Sequence, residues 1–389
     1  MYLYFDNAAT TKPEREVCDE MMVCLEQIYG NPSAQYGAGF EAKKIVNRAV
    51  KSAAKLINAG DDEILFTSGG TESDNNALMY MYRFPKGKSL VTTGIEHPAV
   101  INMCKRLERD GYIVRYVHPD KEGLISPDDI EAAIDGTTVM VSCMMANNEI
   151  GTIEPVEDIC RIAHGHGCIF HTDAVQSLGI IDIDVKKSDF DLLSGSAHKL
   201  YGPKGTGLLY IKRGIELPHL IEGGGQQSGR RSGTENVPAI AGFGKACELA
   251  LTDLKSRQQL EYDIAKYIYN RVMEEIPGTV LNGFDIFKEY TDMKRLPGNL
   301  HFSFEGVNGT SLRILLDMKG VYVSTGSACS ASSEKHSYVL DEIGLSENYI
   351  DGSLRITVGK NNTLEEADKL VNILKDCIGN IRALNGYTI

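Results

Sequence analysis

The chain lacks a basic run, a C-x-x-C cysteine pair, a long apolar run, an internal repeat and any low-complexity tract. Each absence excludes something. With 40 basic and 53 acidic residues the net charge is −13, which argues against general nucleic-acid binding and leaves only a local docking patch for a particular RNA or protein. No window approaches the ~20 apolar residues of a membrane span. The opening Tyr2-Leu3-Tyr4-Phe5-Asp6 has no basic stretch ahead of an apolar one, so no secretory signal is expected and the protein is placed in the cytoplasm. The nine cysteines are odd in number and unpaired in spacing, so neither a disulfide framework nor a zinc cage is expected.

Most of these cysteines have core positions. Cys24 shares a helical face with Val17, Met21 and Ile28, and Cys377 shares one with Leu370, Leu374 and Ile381. Cys329 differs. Its neighbourhood, Ser324-Thr325-Gly326-Ser327-Ala328-Cys329-Ser330-Ala331-Ser332-Ser333, offers no large apolar side chain to bury it. A thiol on such a small, polar loop is accessible, as a nucleophile that hands on its product must be.

At 389 residues the chain is too long for one ordinary core. Short apolar strands alternate with helical patterns from Ile64-Leu65-Phe66 to Gly207-Leu208-Leu209-Tyr210-Ile211. The segments number seven: those two, Leu90–Thr92, Ile113–Val117, Val139–Ser142, Cys168–His171 and Asp191–Ser194. This order predicts an α/β fold with a mostly parallel seven-stranded sheet covered by helices. An amphipathic helix from Glu14 to Ile28, opened by Pro13, precedes it; a long helix from about Pro238 to Glu275 leads to a smaller α+β unit. Thr363 and Glu366 form a capping box for the last helix. The expected division is a large domain at 13–257 and a small one at 1–12 and 258–389, the latter carrying the Cys329 loop.

Lys199 carries the most chemistry. It stands in Ser194-Gly195-Ser196-Ala197-His198-Lys199-Leu200-Tyr201-Gly202, after a strand and before a glycine-rich turn. A lone lysine beside such a turn is ordinarily a solvated charge. Asp173, at the end of the preceding apolar strand, changes that reading. An amine for a Schiff base and a carboxylate for a pyridine nitrogen can meet one ring from two strand ends, which points to pyridoxal phosphate. Ser68-Gly69-Gly70-Thr71 joins a strand to a helix start, either as a phosphate cradle or as a plain N-cap. Asn147-Asn148-Glu149 could bind a ring hydroxyl or a substrate carboxylate, or form only a turn. His97, at another strand end, is either a ring-stacking proton relay or a surface turn residue. His164-Gly165-His166 looks like a helix end rather than a metal site.

Taken in order, Tyr4-Phe5-Asp6-Asn7-Ala8-Ala9-Thr10-Thr11, Gly30-Asn31-Pro32-Ser33, Thr67-Ser68-Gly69-Gly70-Thr71-Glu72-Ser73, Glu96-His97, Asn147-Asn148-Glu149-Ile150-Gly151, Asp173-Ala174-Val175-Gln176-Ser177, Ser196-Ala197-His198-Lys199, Arg231-Ser232-Gly233-Thr234 and Ser327-Ala328-Cys329-Ser330 resemble the cysteine desulfurases of the NifS/IscS type. These belong to the class V aminotransferase group of fold type I pyridoxal-phosphate enzymes. The resemblance implies that Lys199 bonds the cofactor, Asp173 holds its ring nitrogen protonated, and His97 stacks on the ring. Gln176 and Asn148 would contact the ring edge. Gly70, Thr71, Ser196 and His198 would bind phosphate, with Thr234 reaching it from the second subunit of a homodimer. Arg355, with Asn148, would hold the substrate carboxylate, and Cys329 would accept sulfur from L-cysteine. No resident metal is implied, Cys329 being at most a transient iron–sulfur ligand.

The implied acceptor of that sulfur is an iron–sulfur scaffold or a tRNA-thiolation protein, with no direct contact to nucleic acid or membrane. Two alternatives stand beside this: a class V aminotransferase or selenocysteine lyase, which needs no Cys329, and a non-catalytic sulfur-relay subunit. Family members often carry histidine where this chain has Tyr36, to which no chemistry is assigned. The chain also lacks the longer tail with which some members dock a scaffold, so the acceptor is left open.

Overall fold

The computed structural model describes residues 2–287, 294–325 and 337–387. Its strands are β1 (Leu3–Tyr4), β2 (Ile64–Thr67), β3 (Ser89–Thr93), β4 (Ile113–Val117), β5 (Thr138–Ser142), β6 (Ile169–Asp173), β7 (Leu192–Ser196), β8 (Gly207–Ile211), β9 (Thr279–Leu281), β10 (Asn299–Phe304), β11 (Val321–Tyr322) and β12 (Ser353–Thr357). Seven of them, β2 to β8, form one sheet in the order β2-β8-β7-β6-β5-β3-β4. Only β8 runs antiparallel to its neighbours.

β2, β7 and β8 are buried at every residue because helices cover both faces of the sheet. Alternate side chains go to opposite layers. Phe66, Val141, Phe170 and Leu193 join a layer with the helices Arg15–Glu26, Gly37–Leu56 and Val156–Gly165. Leu65, Leu90, Met140 and Leu192 join the other, with Gly70–Leu78 and Pro98–Arg109. The order of the strands reverses between β3 and β5, so the crevice at their carboxyl ends is where a ligand is expected in a doubly wound sheet.

A second core gathers Leu3, Phe5, Leu300, Phe302, Phe304, Leu354 and Ile356 with the helices Gly309–Met318 and Leu364–Leu384. Here β10 pairs antiparallel with β9 and β12, and β1 pairs parallel with β11. The helix Val237–Glu275 serves both cores: Ile240, Phe243 and Cys247 pack in the first, Ile264, Ile268 and Val272 in the second. At 1.5 Å per residue its 39 residues span about 58 Å. Where it crosses between the cores, Arg257 pairs with Glu261 at 2.7 Å and lies over the ring of Tyr201.

The Thr363–Glu366 capping box is present, and Cys377 is buried with Leu370, Leu374 and Ile381 as its helical face demands. Of the described cysteines, Cys18 is exposed and the others are buried. One detail departs from the sequence reading. The first helix covers Arg15–Glu26, with Glu14 as its N-cap, so Pro13 precedes the helix instead of opening it. Among the described residues no helix is long and apolar enough to cross a membrane.

Candidate active site

Asp173 ends β6, and its neighbour across the sheet, Ser194, lies on β7 five residues before Lys199. The apolar strand carries the Asp173 carboxyl into the interior, where burial raises its pKa while the Val175 N–H and the Lys199 cation oppose the rise. One of its oxygens accepts the Val175 N–H at 2.8 Å. Lys199 closes a short 3₁₀ turn, Ala197–Lys199, beyond β7, and its Nζ donates to the carbonyls of Ala8 and, at 2.8 Å, Ala9. His97 caps the helix Pro98–Arg109: its Nδ1 accepts the Ala99 N–H at 3.2 Å, which places the ring proton on Nε2. Burial lowers its pKa, keeping the ring neutral.

The segment after β2 turns sharply. Gly69 has φ 155° and ψ 178°, a conformation open to glycine. A Cβ on Gly207 would sit 2.8 Å from the Cα of Gly69, and one on Gly70 would sit 2.6 Å from Val175 Cγ2. The helix Gly70–Leu78 therefore starts hard against β8 and the end of β6, with Thr71 exposed in its first turn. Glu72 fixes this start, accepting the Ser68 N–H at 2.8 Å and pairing with Arg231 at 2.9 Å. Ser196 is buried at the end of β7. Next to it, His198 shares a hydrogen with Thr10 Oγ1 at 3.2 Å, and its pKa falls to about 4 through burial and the cations Lys199 and Lys204.

Arg355 reaches the cleft from β12. Its Nη1 donates to the Asn148 carbonyl at 2.7 Å and its Nη2 to Asp6 Oδ1 at 3.0 Å. Its Nε and the Asn148 side-chain oxygen are both buried with no hydrogen-bond partner among the described residues. Asn147 makes the turn expected of this motif, its Oδ1 accepting from the N–H groups of Glu149 and Ile150. Gln176 donates to the Ala8 carbonyl at 3.1 Å. Cys329 lies outside the described residues. On either side of its segment, the Ser324 N–H donates to the Arg355 carbonyl at 3.1 Å, and Ser337 Oγ meets Glu149 Oε2 at 2.5 Å.

Lys199, Gln176, His198 and Arg355 thus converge on one stretch, Asp6–Thr11, while Asp173 and His97 lie together within electrostatic reach of Lys199. Thr234 is not among them; it is exposed in the loop before Val237–Glu275, and its expected role belongs to a second copy of the chain. Sequence reasoning missed two features. Asp6–Thr11 was quoted as a motif without a role, and nothing periodic marks it as a wall. Asp74 was passed over, although a carboxylate on the helix face shared with Ala77, Leu78 and Met81 is a polar residue at a core position, which was the signal available.

Comparison with known proteins agrees with this geometry. The family model Aminotransferase class-V matches residues 3–370. The "Cysteine desulfurase IscS" of Methanosarcina thermophila is 42% identical over 388 residues, 99% of this chain and 94% of that protein. Among solved structures, a "NifS-like protein" superposes with TM-score 0.90 at 36% identity, covering 98% of this chain and 100% of the other. "SspA in complex with cysteine" gives TM-score 0.80 at 35% identity, covering 92% and 99% respectively. The chain belongs to the class V aminotransferase family and, within it, to the cysteine desulfurases.

Proposed function

We propose that this cleft holds pyridoxal 5′-phosphate on Lys199 and that the chain, a cysteine desulfurase, moves the sulfur of L-cysteine onto Cys329. The observation that carries the reading is the meeting of Lys199 and Asp173, from adjacent strand ends, with Arg355 from the second core. The residues fit the group. Asp173 is a buried carboxylate suited to a protonated pyridine nitrogen, the open space at Gly69 just before the helix start suits phosphate, and Asn148 and Arg355 hold buried polar atoms that lack partners among the described residues.

When bound, pyridoxal phosphate supplies an electron sink that labilises the substrate's α hydrogen and its carbon–sulfur bond. Asp173 keeps the ring nitrogen protonated, and neutral His97 covers the ring face. Gly70, Thr71, Ser196 and His198 hold the phosphate, and Gln176 and Asn148 meet the ring edge. Arg355 takes the substrate carboxylate through its guanidinium. Lys199 Nζ, released when substrate arrives, removes the α proton. The Cys329 thiolate then attacks the substrate sulfur: an S–S bond forms, the C–S bond breaks, the β carbon that keeps the electron pair is protonated, and Lys199 returns a proton to the α carbon before alanine leaves. The persulfide passes its outer sulfur to a thiol of an acceptor protein, an iron–sulfur scaffold or a tRNA-thiolation enzyme.

The division into units at 13–257 and at 1–12 with 258–389 belongs to this proposal, the two cores supporting it. So does a homodimer in which Thr234 of a second copy completes the phosphate site. The exposed apolar side chains Met22, Leu25, Tyr29, Tyr36 and Phe40, around the first two helices, support such a contact. The test is alanine release from L-cysteine by wild type and Cys329→Ala, each with pyridoxal phosphate and a thiol acceptor. The variant should keep the cofactor's visible absorption and lose alanine formation. Normal turnover by the variant, or a wild-type protein that stays colourless with added cofactor, would overturn the reading.

A further inference from the structure

Behind Asp173 lies a second carboxyl that the reaction above does not use. Asp74, on the helix Gly70–Leu78, is 1% exposed, and Asp173 is 5% exposed. Oxygens of both, with a ring nitrogen of His97, lie within 4.8 Å of one another. Two buried carboxylates this close repel too strongly for both to be ionised.

The surroundings decide which one holds the proton. Burial raises the pKa of Asp173, but the Val175 N–H at 2.8 Å and the nearby Lys199 cation oppose that rise. Asp74 has the hydroxyl of Ser194, and its Oδ1 is buried with no hydrogen-bond partner among the described residues. His171 Nε2 stands 3.8 Å from that oxygen, but this is no ion pair. The imidazole is fully buried between two hydroxyls, Ser142 at 2.8 Å and Ser194 at 3.0 Å, and burial brings its pKa down to about 3. Glu96, the other carboxyl facing Asp74, is also buried and adds to the pressure against a charge there.

We propose that Asp74 is a positioning residue, a neutral carboxylic acid that shares one proton with Asp173 so that Asp173 is the anionic partner of the cofactor's ring nitrogen. The inference rests on the functional reading above for the identity of that cofactor, and on the geometry alone for the proton. A protonated Asp74 removes the second buried charge from the pair, which its sparsely partnered carboxyl is poorly placed to stabilise. An amide at the same position would reproduce a neutral group of the same shape.

Two measurements on the holoenzyme test this. Infrared difference spectra of wild type minus Asp74→Asn at neutral pH should show the loss of one protonated-carboxyl stretch; loss of carboxylate bands instead would overturn the proposal. In the second, the pH titration of the bound cofactor's absorption and the cofactor affinity are compared across variants. Asp74→Asn should match wild type within about twofold, whereas Asp74→Ala should weaken the cofactor by about tenfold. An Asp74→Asn titration moved by a full pH unit, or an Asp74→Ala protein equal to wild type, would sink the idea. Should Asp74→Ala fail to fold, Asp74→Asn decides the matter alone. A wild-type protein that binds no cofactor defeats the functional reading, while the infrared result still reports on Asp74.

Discussion

The two sides of the cleft are built from opposite kinds of ionisable group. On the side of the seven-stranded sheet, Asp74, Glu96 and Asp173 are buried carboxyls, interleaved with neutral His97 and His171. On the side of the second core stand two buried arginines, Arg295 and Arg355, with His301 paired across the strands to Arg355. A cationic ring nitrogen suits the first side and a substrate carboxylate the second.

The two arginines then separate structure from function. Arg295 spends its donors on backbone, at 2.8 Å to Asn299, 2.9 Å to Asn282 and 3.0 Å to Phe284, and burial brings its pKa down to about 9. Arg355 leaves its Nε without a partner among the described residues. A buried polar atom in that state costs free energy until something binds it, which marks the ligand-facing arginine of the two.

Breaking the acidic side at its amine should have the largest effect. Lys199→Ala removes the proposed attachment point of the cofactor and the proposed base, so alanine release should fall by at least about a hundredfold while the melting temperature hardly moves. Breaking the cationic side should read in binding. Arg355→Ala loses charge-assisted hydrogen bonds worth about 1.5–3 kcal/mol, so KM for cysteine should rise about 10- to 150-fold. Arg355→Lys should recover only part of this, since a point charge cannot reproduce the fork.

A third experiment sharpens the contrast through pH. Burial pushes Glu96 up to about 8, so its stabilising proton is fully in place below the ordinary carboxylate range and is lost as pH rises through 8. His171 works in reverse: held neutral, with a pKa of about 3, it costs stability as pH falls from the ordinary histidine range toward 3. Thermal unfolding of wild type should therefore weaken on both sides of mildly acidic pH, by up to a few kcal/mol. Glu96→Gln should flatten the alkaline limb alone. The smallest effect belongs to the loop outside both walls. Arg231→Ala breaks a partly exposed pair with Glu72 and should cost about 1 kcal/mol or less in chemical denaturation.

Much of the sheet was legible because its strands are short apolar runs with glycine or polar residues at their ends. Asp173 and Lys199 could be placed at strand ends for the same reason. The reversal of β8 was not legible, because Gly207-Leu208-Leu209-Tyr210-Ile211 is apolar whichever way it runs. Direction came from the turn through Gly202 and Gly205 that brings the chain back beside β7. The role of Asp6–Thr11 was hidden by distance along the chain. Asn7 donates to the carbonyl of Thr357, 350 residues away, and no local pattern encodes such a contact. Asp74 was hidden differently: its meaning comes from a neighbour on another strand, not from its own helix.

That distant contact bears on how the protein is made. The Phe5 carbonyl accepts the Thr357 N–H at 2.7 Å, and Asp6 is the ion-pair partner of Arg355. Phe5 and Asp6 therefore cannot meet these partners until residues 355 and 357 have been made. A nascent chain holds every strand of its seven-stranded sheet by residue 211, yet the Asp6–Arg355 pair must await another hundred or more residues of synthesis.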